Sequence, residues 1–331
     1  MTSSDRHLVF DVGGTQLRAA VYDGGGGSLF ASSRVDAPSF LRHAGAPWTE
    51  LRTRLLESLS ELRARLDPAS AVSSAVIAFP GPVDDEHRVV AAPTLWGSLG
   101  AYPYALERDL RDRWPGVSTR VINDVTAAGY RYLRSTNDDF CIVTVSSGVG
   151  NKVFVDGRPL LGRSGLGGEI GHLQVDPAPG AAECDCGGRG HVGAIASGRG
   201  MLALARRRAV ERPDAFRSSS LAIGASTLTP EALAEAYRLG DAFAVSVVRE
   251  GADALAQALS AVHLAIGVDR IVLIGGFALG LGRRFCDDLG AAVGARCWRG
   301  TSDVVHVELG ESDGHCALIG AGRARHLGLL P

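Results

Sequence analysis

Lysine is almost absent from this chain of 331 residues, in which Lys152 is the only lysine and arginine supplies the other strongly basic side chains. The bias is typical of a GC-rich coding sequence and indicates little about function. Acidic and basic residues nearly balance, giving a formal net charge of -2. Because proteins that bind nucleic acids usually carry a strongly basic face, we do not expect nucleic acid as the main partner.

Long apolar runs are also absent. None reaches the roughly 18 residues that a membrane span needs, and the segment from Met1 to Arg6 lacks the apolar core of a signal peptide. Of the six cysteines, only Cys184 and Cys186 lie close together in the sequence. This spacing favours reduced thiols over a disulfide framework. We therefore expect a cytoplasmic protein without membrane association.

The length predicts two domains, because it exceeds what one ordinary core supports. Two segments share a strand-turn-strand pattern with glycines in the turn. The first has strands at 7–10 and 16–22, and the second has strands at 141–145 and 152–155. The repeat predicts two similar α/β lobes with a cleft between them.

Further elements follow from apolar periodicity and from turn and capping residues. Strands are predicted at 28–35, 75–79, 117–122 and 271–274. A leucine-rich helix to Leu66 is predicted to begin at an N-cap Thr49. Other helices are predicted at 125–133, at 242–266, and from an N-cap Thr229 to Gly240.

Three glycine-rich or polar turns each allow a chemical and a structural interpretation. The turn Asp11-Val12-Gly13-Gly14-Thr15 suits a phosphate and a hydrated Mg²⁺, but a plain β-hairpin turn has similar composition. The turn from Ser146 to Gly150 allows the same two interpretations. Gly275-Gly276 either lets an adenine approach the backbone or simply begins a loop. No Walker-type phosphate loop or dinucleotide-binding glycine fingerprint is found in a suitable context.

Asn123 and Asp124 follow a predicted strand. Asp124 is a candidate general base with a neighbouring amide, while the alternative is that this pair caps the helix at 125–133.

Two histidines and two cysteines occur within twenty residues: His172, Cys184, Cys186 and His191. Thiolates and imidazoles are ligands that zinc prefers, and four protein ligands make a structural rather than a catalytic site. Such a zinc would hold the neighbouring loop with Glu169 in place. The alternative is a pair of thiols without metal.

The order of these signals resembles the ROK family of bacterial sugar kinases, sugar-responsive repressors and related proteins. The resemblance extends from Asp11 to Gly322. It rests on the following motifs: Asp-x-Gly-Gly-Thr at Asp11, Pro-Gly-x-Val-Asp at Pro80, Asn123-Asp124, Gly-Glu-Ile-Gly-His at Gly168, Cys-x-Cys-Gly-x-x-Gly at Cys184, and Gly275-Gly276. The resemblance implies an α/β, actin/hexokinase-like (ribonuclease H-like) fold that binds ATP and a sugar between two lobes. It also implies a small domain at 1–125 with a returning helix at about 317–331, and a large domain at 126–316 with the zinc loop.

The resemblance also assigns roles to individual residues. Asp124 matches the family's catalytic base. The substrate-binding residues are expected to be Asn123, Glu169, His172, Thr94 and Gly81. The ATP and phosphate residues are expected to be Asp11, Gly13, Gly14, Thr15, Ser147, Gly148, Lys152, Gly275 and Gly276. The expected cofactors are ATP, Mg²⁺ and a structural Zn²⁺ on His172, Cys184, Cys186 and His191, and a homodimer is expected.

Four departures from the family pattern concern the zinc loop and the substrate. His191 replaces the third cysteine, and imidazole can take its place as a ligand. Gly193 replaces a glutamate that binds hydroxyls near the anomeric carbon, and Thr94 replaces an asparagine. Lys152 enters a loop that is usually rich in glycine; it could bind a phosphate, contact the substrate or point to solvent.

These departures predict an altered substrate rather than a dead enzyme, because a site that binds a hydroxyl discriminates strongly against molecules that lack it. Plain glucose is expected to fit poorly opposite Gly193. A C7-cyclitol of the valiolone or valienol type, as phosphorylated in antibiotic biosynthesis, is expected to fit better. Alternatives are an ordinary glucokinase or N-acetylhexosamine kinase and a non-catalytic sugar-binding protein. A repressor is not expected, because the first strand begins at Leu8, with no preceding helix-turn-helix domain.

Overall fold

The computed structural model describes residues 5–97, 99–223, 228–298 and 305–330. Contacts between residues divide the chain into two compact units. The first contains the described residues up to Thr136, the segment Gly157–Gly167 and the described residues from Asp313 onward. The second contains Asn137–Asp156 and the described residues from Gly168 to Ser312.

The described ranges contain both strands and α-helices. The strands are β1 (Arg6–Val12), β2 (Gln16–Asp23), β3 (Ser28–Asp36), β4 (Ser74–Phe79), β5 (Ser118–Asn123), β6 (Phe140–Val145), β7 (Val149–Val155), β8 (Arg158–Pro159), β9 (Arg270–Ile274) and β10 (His306–Leu309). The helices are α1 (Trp48–Leu66), α2 (Pro93–Trp96), α3 (Leu106–Arg113), α4 (Asp124–Arg131), α5 (Val192–Ala196), α6 (Gly198–Glu211), α7 (Pro213–Arg217), α8 (Pro230–Arg238), α9 (Ala242–Ile266), α10 (Gly276–Leu281), α11 (Arg283–Gly294) and α12 (Cys316–His326).

The two sheets have the same topology. The first has the strand order β3-β2-β1-β4-β5, and the second, β8-β7-β6-β9-β10, repeats that order. In each sheet the first hairpin is antiparallel, and the two later strands run parallel to its first strand. The repeated strand-turn-strand pattern in the sequence therefore marks the start of two equivalent sheets.

Helix α1 covers the first sheet with a leucine face, as predicted: Leu51, Leu55, Leu59 and Leu62 are buried. The predicted N-cap is wrong. The helix begins one residue before Thr49, at Trp48, and Pro47 is its N-cap without a side-chain hydrogen bond. The Trp48 ring packs edge-on against Trp96 and Tyr104, with centroids 6.1 and 5.5 Å apart. We attribute the earlier start to this aromatic packing.

Helix α4 groups with the first unit, so the contact boundary falls after Thr136, whereas the predicted domain boundary was residue 125. The reason is its packing against α12. Arg131 at the end of α4 donates to both carboxylate oxygens of Asp313, at 2.7 Å each. This guanidinium lowers the pKa of Asp313 to about 2. The predicted helix at 317–331 corresponds to α12, which begins at Cys316 and already ends at His326; Pro331 lies outside the described residues.

The long helix α9 forms the centre of the second unit. It has the predicted bounds, and its buried side chains join those of β6 and β9 in one apolar core. Asp241 caps its start by accepting from the Ala244 N–H, and Gly267 ends it in the left-handed conformation. None of the helices within the described ranges is long and apolar enough to span a membrane.

Candidate active site

Asp11 lies at the end of β1, before the glycine turn, and is only 7% exposed. Arg18 stands opposite it across the β1–β2 hairpin and donates to its Oδ2 at 2.5 Å. Burial raises the pKa of Asp11, while the arginine acts in the opposite direction. Arg18 thus occupies one carboxylate oxygen of Asp11. Asp11 would therefore bind a Mg²⁺ ion most readily through a water molecule coordinated to the ion.

The turn after Asp11 requires glycine at both positions. The Gly13 N–H donates to the Gln16 carbonyl at 3.0 Å, which closes the turn. A Cβ atom on Gly14 would lie 2.6 Å from the carbonyl oxygen of Thr94 in α2. The structure therefore brings the predicted phosphate turn against the predicted substrate residue Thr94. Thr15 and Thr94 are both exposed.

Asn123 uses both ends of its amide group. Its Oδ1 accepts from the Thr126 N–H at 2.9 Å, which caps α4. Its Nδ2 donates to the Gly81 carbonyl at 3.0 Å and to Asp124 Oδ1 at 2.9 Å. The capping interpretation is therefore correct for Asn123, and the same side chain also orients Asp124.

Asp124 is the first residue of α4 and is partly exposed. Its Oδ1 also accepts from the Val125 N–H at 2.8 Å. Two donors on one oxygen fix the plane of the carboxylate. The helix dipole at the N-terminus of α4 favours the negatively charged form of this carboxylate, which is the form that can accept a proton.

In the second unit, the turn between β6 and β7 meets the start of α6. The Ser146 N–H donates to the Gly148 carbonyl at 2.9 Å, and the Gly198 N–H donates to the Ser146 carbonyl at 2.8 Å. Ser147 is exposed, and the space where a Cβ atom on Gly148 would lie is open. Backbone N–H groups of this turn are thus accessible to a ligand.

The Gly275-Gly276 pair lies beside the same turn. Gly275 has a φ of +95°, and a Cβ atom there would lie 2.6 Å from the Val145 carbonyl oxygen at the end of β6. Gly276 begins α10 and has open space at its Cβ position. Only glycine fits the first position, and the second leaves room for a planar ring over the backbone.

Lys152 does not point to solvent. Its side chain is 1% exposed, and its Nζ donates to Glu169 Oε1 at 3.0 Å. Glu169 precedes a short 3₁₀ helix at Ile170–His172 and keeps 35% of its side chain exposed. The predicted contact of Lys152 with a phosphate stays a prediction, and the contact observed is with a predicted substrate residue.

Gly193, the departure in α5, packs against the same segment. A Cβ atom there would lie 3.1 Å from the Gly171 carbonyl oxygen, which is tight for a side chain of any kind. The absence of a side chain at 193 therefore suits the close packing of α5 on the segment with Glu169 and His172.

The four predicted zinc ligands lie together. One donor atom from each of His172, Cys184, Cys186 and His191 falls within 4.8 Å of all the others. Cys184 Sγ is 3.7 Å from His172 Nδ1, and Cys186 Sγ is 3.3 Å from His191 Nδ1. Zinc bonds of about 2.3 Å to sulfur and about 2.0 Å to nitrogen place such atoms about 3.6 Å apart in a tetrahedron. The donor set and its spacing fit a zinc ion.

The charges of the loop also favour a cation. Burial raises the pKa of Cys184, and the charge of the neighbouring Asp185 acts in the same direction. Deprotonated thiols beside a carboxylate would repel each other, and a divalent cation would remove that repulsion.

Arg199 links this loop to the Ser147 turn and was missed in the sequence. Its Nε donates to the Ser147 carbonyl at 2.6 Å, and its Nη2 pairs with Asp185 at 2.5 Å. The sequence does single out Arg199, because a cation in the first turn of a helix interacts unfavourably with the helix dipole. Such a residue needs another interaction to hold it there. Arg18 was also missed, although the hairpin turn sets it opposite Asp11.

The profile of the ROK family matches residues 8–321. The chain belongs to the ROK family. A C(7)-cyclitol 7-kinase from Streptomyces hygroscopicus subsp. limoneus is 42% identical over 328 residues, which cover 96% of this chain and 92% of that protein. An N-acetylmannosamine kinase from Salmonella typhimurium is 34% identical over 203 residues, covering 60% of this chain and 64% of that protein.

Solved structures of ROK proteins share the fold. A ROK family glucokinase from Streptomyces griseus, in complex with glucose and AMPPNP, has a TM-score of 0.75 and 23% identity, with 96% of this chain and 98% of that chain covered. A ROK hexokinase from Thermus thermophilus has a TM-score of 0.74 and 26% identity, with 98% and 99% covered. The predicted α/β, actin/hexokinase-like fold is confirmed.

Proposed function

We propose that this ROK protein is an ATP-dependent kinase that phosphorylates the primary hydroxyl, at position 7, of a C7-cyclitol. The observation that carries the proposal is the 42% identity over 96% of the chain with a C(7)-cyclitol 7-kinase. That relative covers far more of the chain than the N-acetylmannosamine kinase, which matches 60% of it.

In the proposed reaction Asp124 accepts the proton of the acceptor hydroxyl. The hydroxyl oxygen forms a bond to the γ-phosphorus of Mg-ATP as the bond from that phosphorus to the ADP oxygen breaks. Asn123 and the Val125 N–H hold the base by bonds to its Oδ1. Because the hydroxyl becomes acidic only as the new bond forms, an ordinary carboxylate suffices and positioning supplies most of the rate.

The phosphates of ATP are assigned to the two glycine turns, Gly13 to Thr15 and Ser147 to Gly148. Their backbone N–H groups would bind phosphate oxygens. Asp11 would hold the Mg²⁺ of the nucleotide through water, since Arg18 already engages its Oδ2. Gly276, with open space over its backbone, would receive the adenosine.

Zinc is assigned to His172, Cys184, Cys186 and His191. With four protein ligands it would stabilise the loop and take no part in phosphoryl transfer. The acceptor is assigned to Asn123, Glu169 and His172, together with Gly81 and Thr94. The close packing of Gly193 supports an acceptor that needs no carboxylate at that position.

The test is ADP release from Mg-ATP with purified protein and a panel of valiolone-type C7-cyclitol, glucose and N-acetylmannosamine. We expect efficient turnover of the cyclitol, weak turnover of the two sugars, and a product phosphorylated at position 7 by mass spectrometry and ³¹P NMR. The Asp124→Ala variant should lose turnover and keep its melting temperature. Asp36→Ala removes an exposed carboxylate of the same unit and serves as the matched control.

Efficient turnover of glucose with weak turnover of the cyclitol would contradict the proposed acceptor and favour a glucokinase. Activity retained in Asp124→Ala would contradict the mechanism. The homodimer and the cytoplasmic location stay predictions, and light scattering of the purified protein would test the first.

A further inference from the structure

We propose that Lys152 is a positioning residue that sets the acceptor affinity of the kinase by holding the carboxylate of Glu169. The inference rests on the proposed function for its substrate, and on the geometry of the second unit for its mechanism. Lys152 is the only lysine of the chain, and its ammonium group is buried beside that carboxylate.

Burying the positive charge of Lys152 costs free energy. An ammonium group removed from water is tolerated only when a partner and hydrogen bonds replace its hydration. The Lys152 side chain is 1% exposed, and its Nζ lies 3.0 Å from Glu169 Oε1. The ion pair with Glu169 therefore offsets part of the cost of burying the ammonium group.

The Lys152 side chain passes close to Gly168. Gly168 has a φ of +85°, and a Cβ atom there would lie 2.7 Å from the Asn151 carbonyl oxygen and 3.1 Å from Lys152 Cδ. A glycine beside Glu169 therefore makes room for the lysine stem. Asn151 Oδ1 also accepts from the Ile170 N–H at 3.1 Å, which ties the residue after Glu169 to β7.

Lys152 also restrains the carboxylate of Glu169. Glu169 belongs to an irregular segment, where an unrestrained side chain would sample several rotamers. Among the described residues, Lys152 is the only side-chain partner of Glu169, and 35% of the glutamate side chain remains exposed. Oε1 is shared with the lysine, so Oε2 is the oxygen better placed to accept a substrate hydroxyl.

The consequence is a substrate preference. A carboxylate with both oxygens fully available can bind a pair of neighbouring hydroxyls equally well, whereas Glu169 binds one hydroxyl at Oε2 more strongly than a second at the shared Oε1. Lys152 therefore favours an acceptor that presents a single hydroxyl to this position. It acts on the acceptor through Glu169.

The first experiment uses the fact that the sequence contains one lysine. In protein labelled with [ε-¹³C]lysine, produced without added lysines, Lys152 gives the single lysine signal. We expect Glu169→Gln to shift that signal, because the charged partner is lost. An unchanged signal in Glu169→Gln would overturn the pair, and this readout does not depend on catalysis.

The second experiment is a kinetic cycle of Lys152→Met, Glu169→Gln and the double variant. We expect Lys152→Met to raise the KM for the acceptor about tenfold, as for loss of one charge-assisted contact, with the KM for ATP unchanged. In the Glu169→Gln background the same change should leave the acceptor KM unaltered. Independent effects in the two backgrounds, or a selective rise in the KM for ATP, would overturn the proposal.

Arg270→Met is the matched control. Arg270 is nearly buried in the same sheet and pairs with Asp138 and with Glu308, at 2.8 Å each, so its loss removes charged contacts of the same sheet at another place. It should lower the melting temperature without a selective change in the acceptor KM. A wild type that never phosphorylates the cyclitol, with a lysine signal that still responds to Glu169→Gln, would refute the proposed function and leave the pair standing.

Discussion

Asn123 offers the sharpest separation of stability from catalysis, because the two ends of its amide group have different tasks. Its oxygen caps α4 through the Thr126 N–H, and its nitrogen donates to the Gly81 carbonyl and to Asp124. Asn123→Ala removes both ends. Asn123→Ser keeps a capping oxygen and removes the donor.

The magnitudes follow from these bonds. Loss of an N-cap costs about 1 kcal/mol, and loss of the bond to the Gly81 carbonyl costs about 1 kcal/mol more. Asn123→Ala should therefore lose about 2 kcal/mol, and Asn123→Ser about half of that. For a folding unit of about 150–250 residues, each kcal/mol shifts the melting temperature by roughly 2–4 °C. The alanine variant should therefore melt several degrees lower.

Activity should behave differently from stability. Both variants lose the donor that orients Asp124, so both should lower kcat by about tenfold with little change in the KM for ATP. Calorimetry and the ADP-release assay on the two variants measure both quantities. A serine variant that recovers stability and full kcat together would refute the orienting role, and an alanine variant as stable as wild type would refute the cap.

Three further changes probe the metal loop and the turns. Elemental analysis should find about one zinc per chain, and Cys184→Ser should lower both zinc content and melting temperature; a metal-free folded wild type would contradict the site. Arg199→Met should raise the KM for ATP about fivefold, as expected for loss of the partly exposed bond to the turn, whereas Arg207→Met, at an exposed arginine of the same helix, should not; equal effects would count against the link. Gly14→Ala forces a Cβ atom against the Thr94 carbonyl, so we expect about 1–3 kcal/mol of destabilisation and a large loss of kcat/KM; an unchanged melting curve would show that the turn adapts.

Local patterns in the sequence predicted much of the fold. Helix α9 has the predicted bounds because Asp241 and Gly267 mark its ends, and Thr229 caps α8 as predicted. The paired strand-turn-strand segments predicted two similar units because each glycine turn lies between two short apolar strands. The clustering of the four Cys and His side chains was also predictable, since twenty residues contain all of them.

Interactions between distant residues could not be predicted in the same way. The pair of Lys152 and Glu169 depends on the course of the chain over Gly168. The bond from Arg199 to Ser147 joins residues 52 positions apart. The start of α1 was wrong because ring packing around Trp48, rather than a capping hydroxyl, decides it. Such contacts are set by tertiary structure, which no local pattern encodes.

The burial of the only lysine also determines how this protein can be modified. Amine-reactive labels, crosslinkers and acetylating reagents act on exposed ammonium groups, and Lys152 presents only 1% of its side chain to solvent. A fluorophore or a solid support directed at amines would therefore leave the only lysine side chain of the folded protein unmodified.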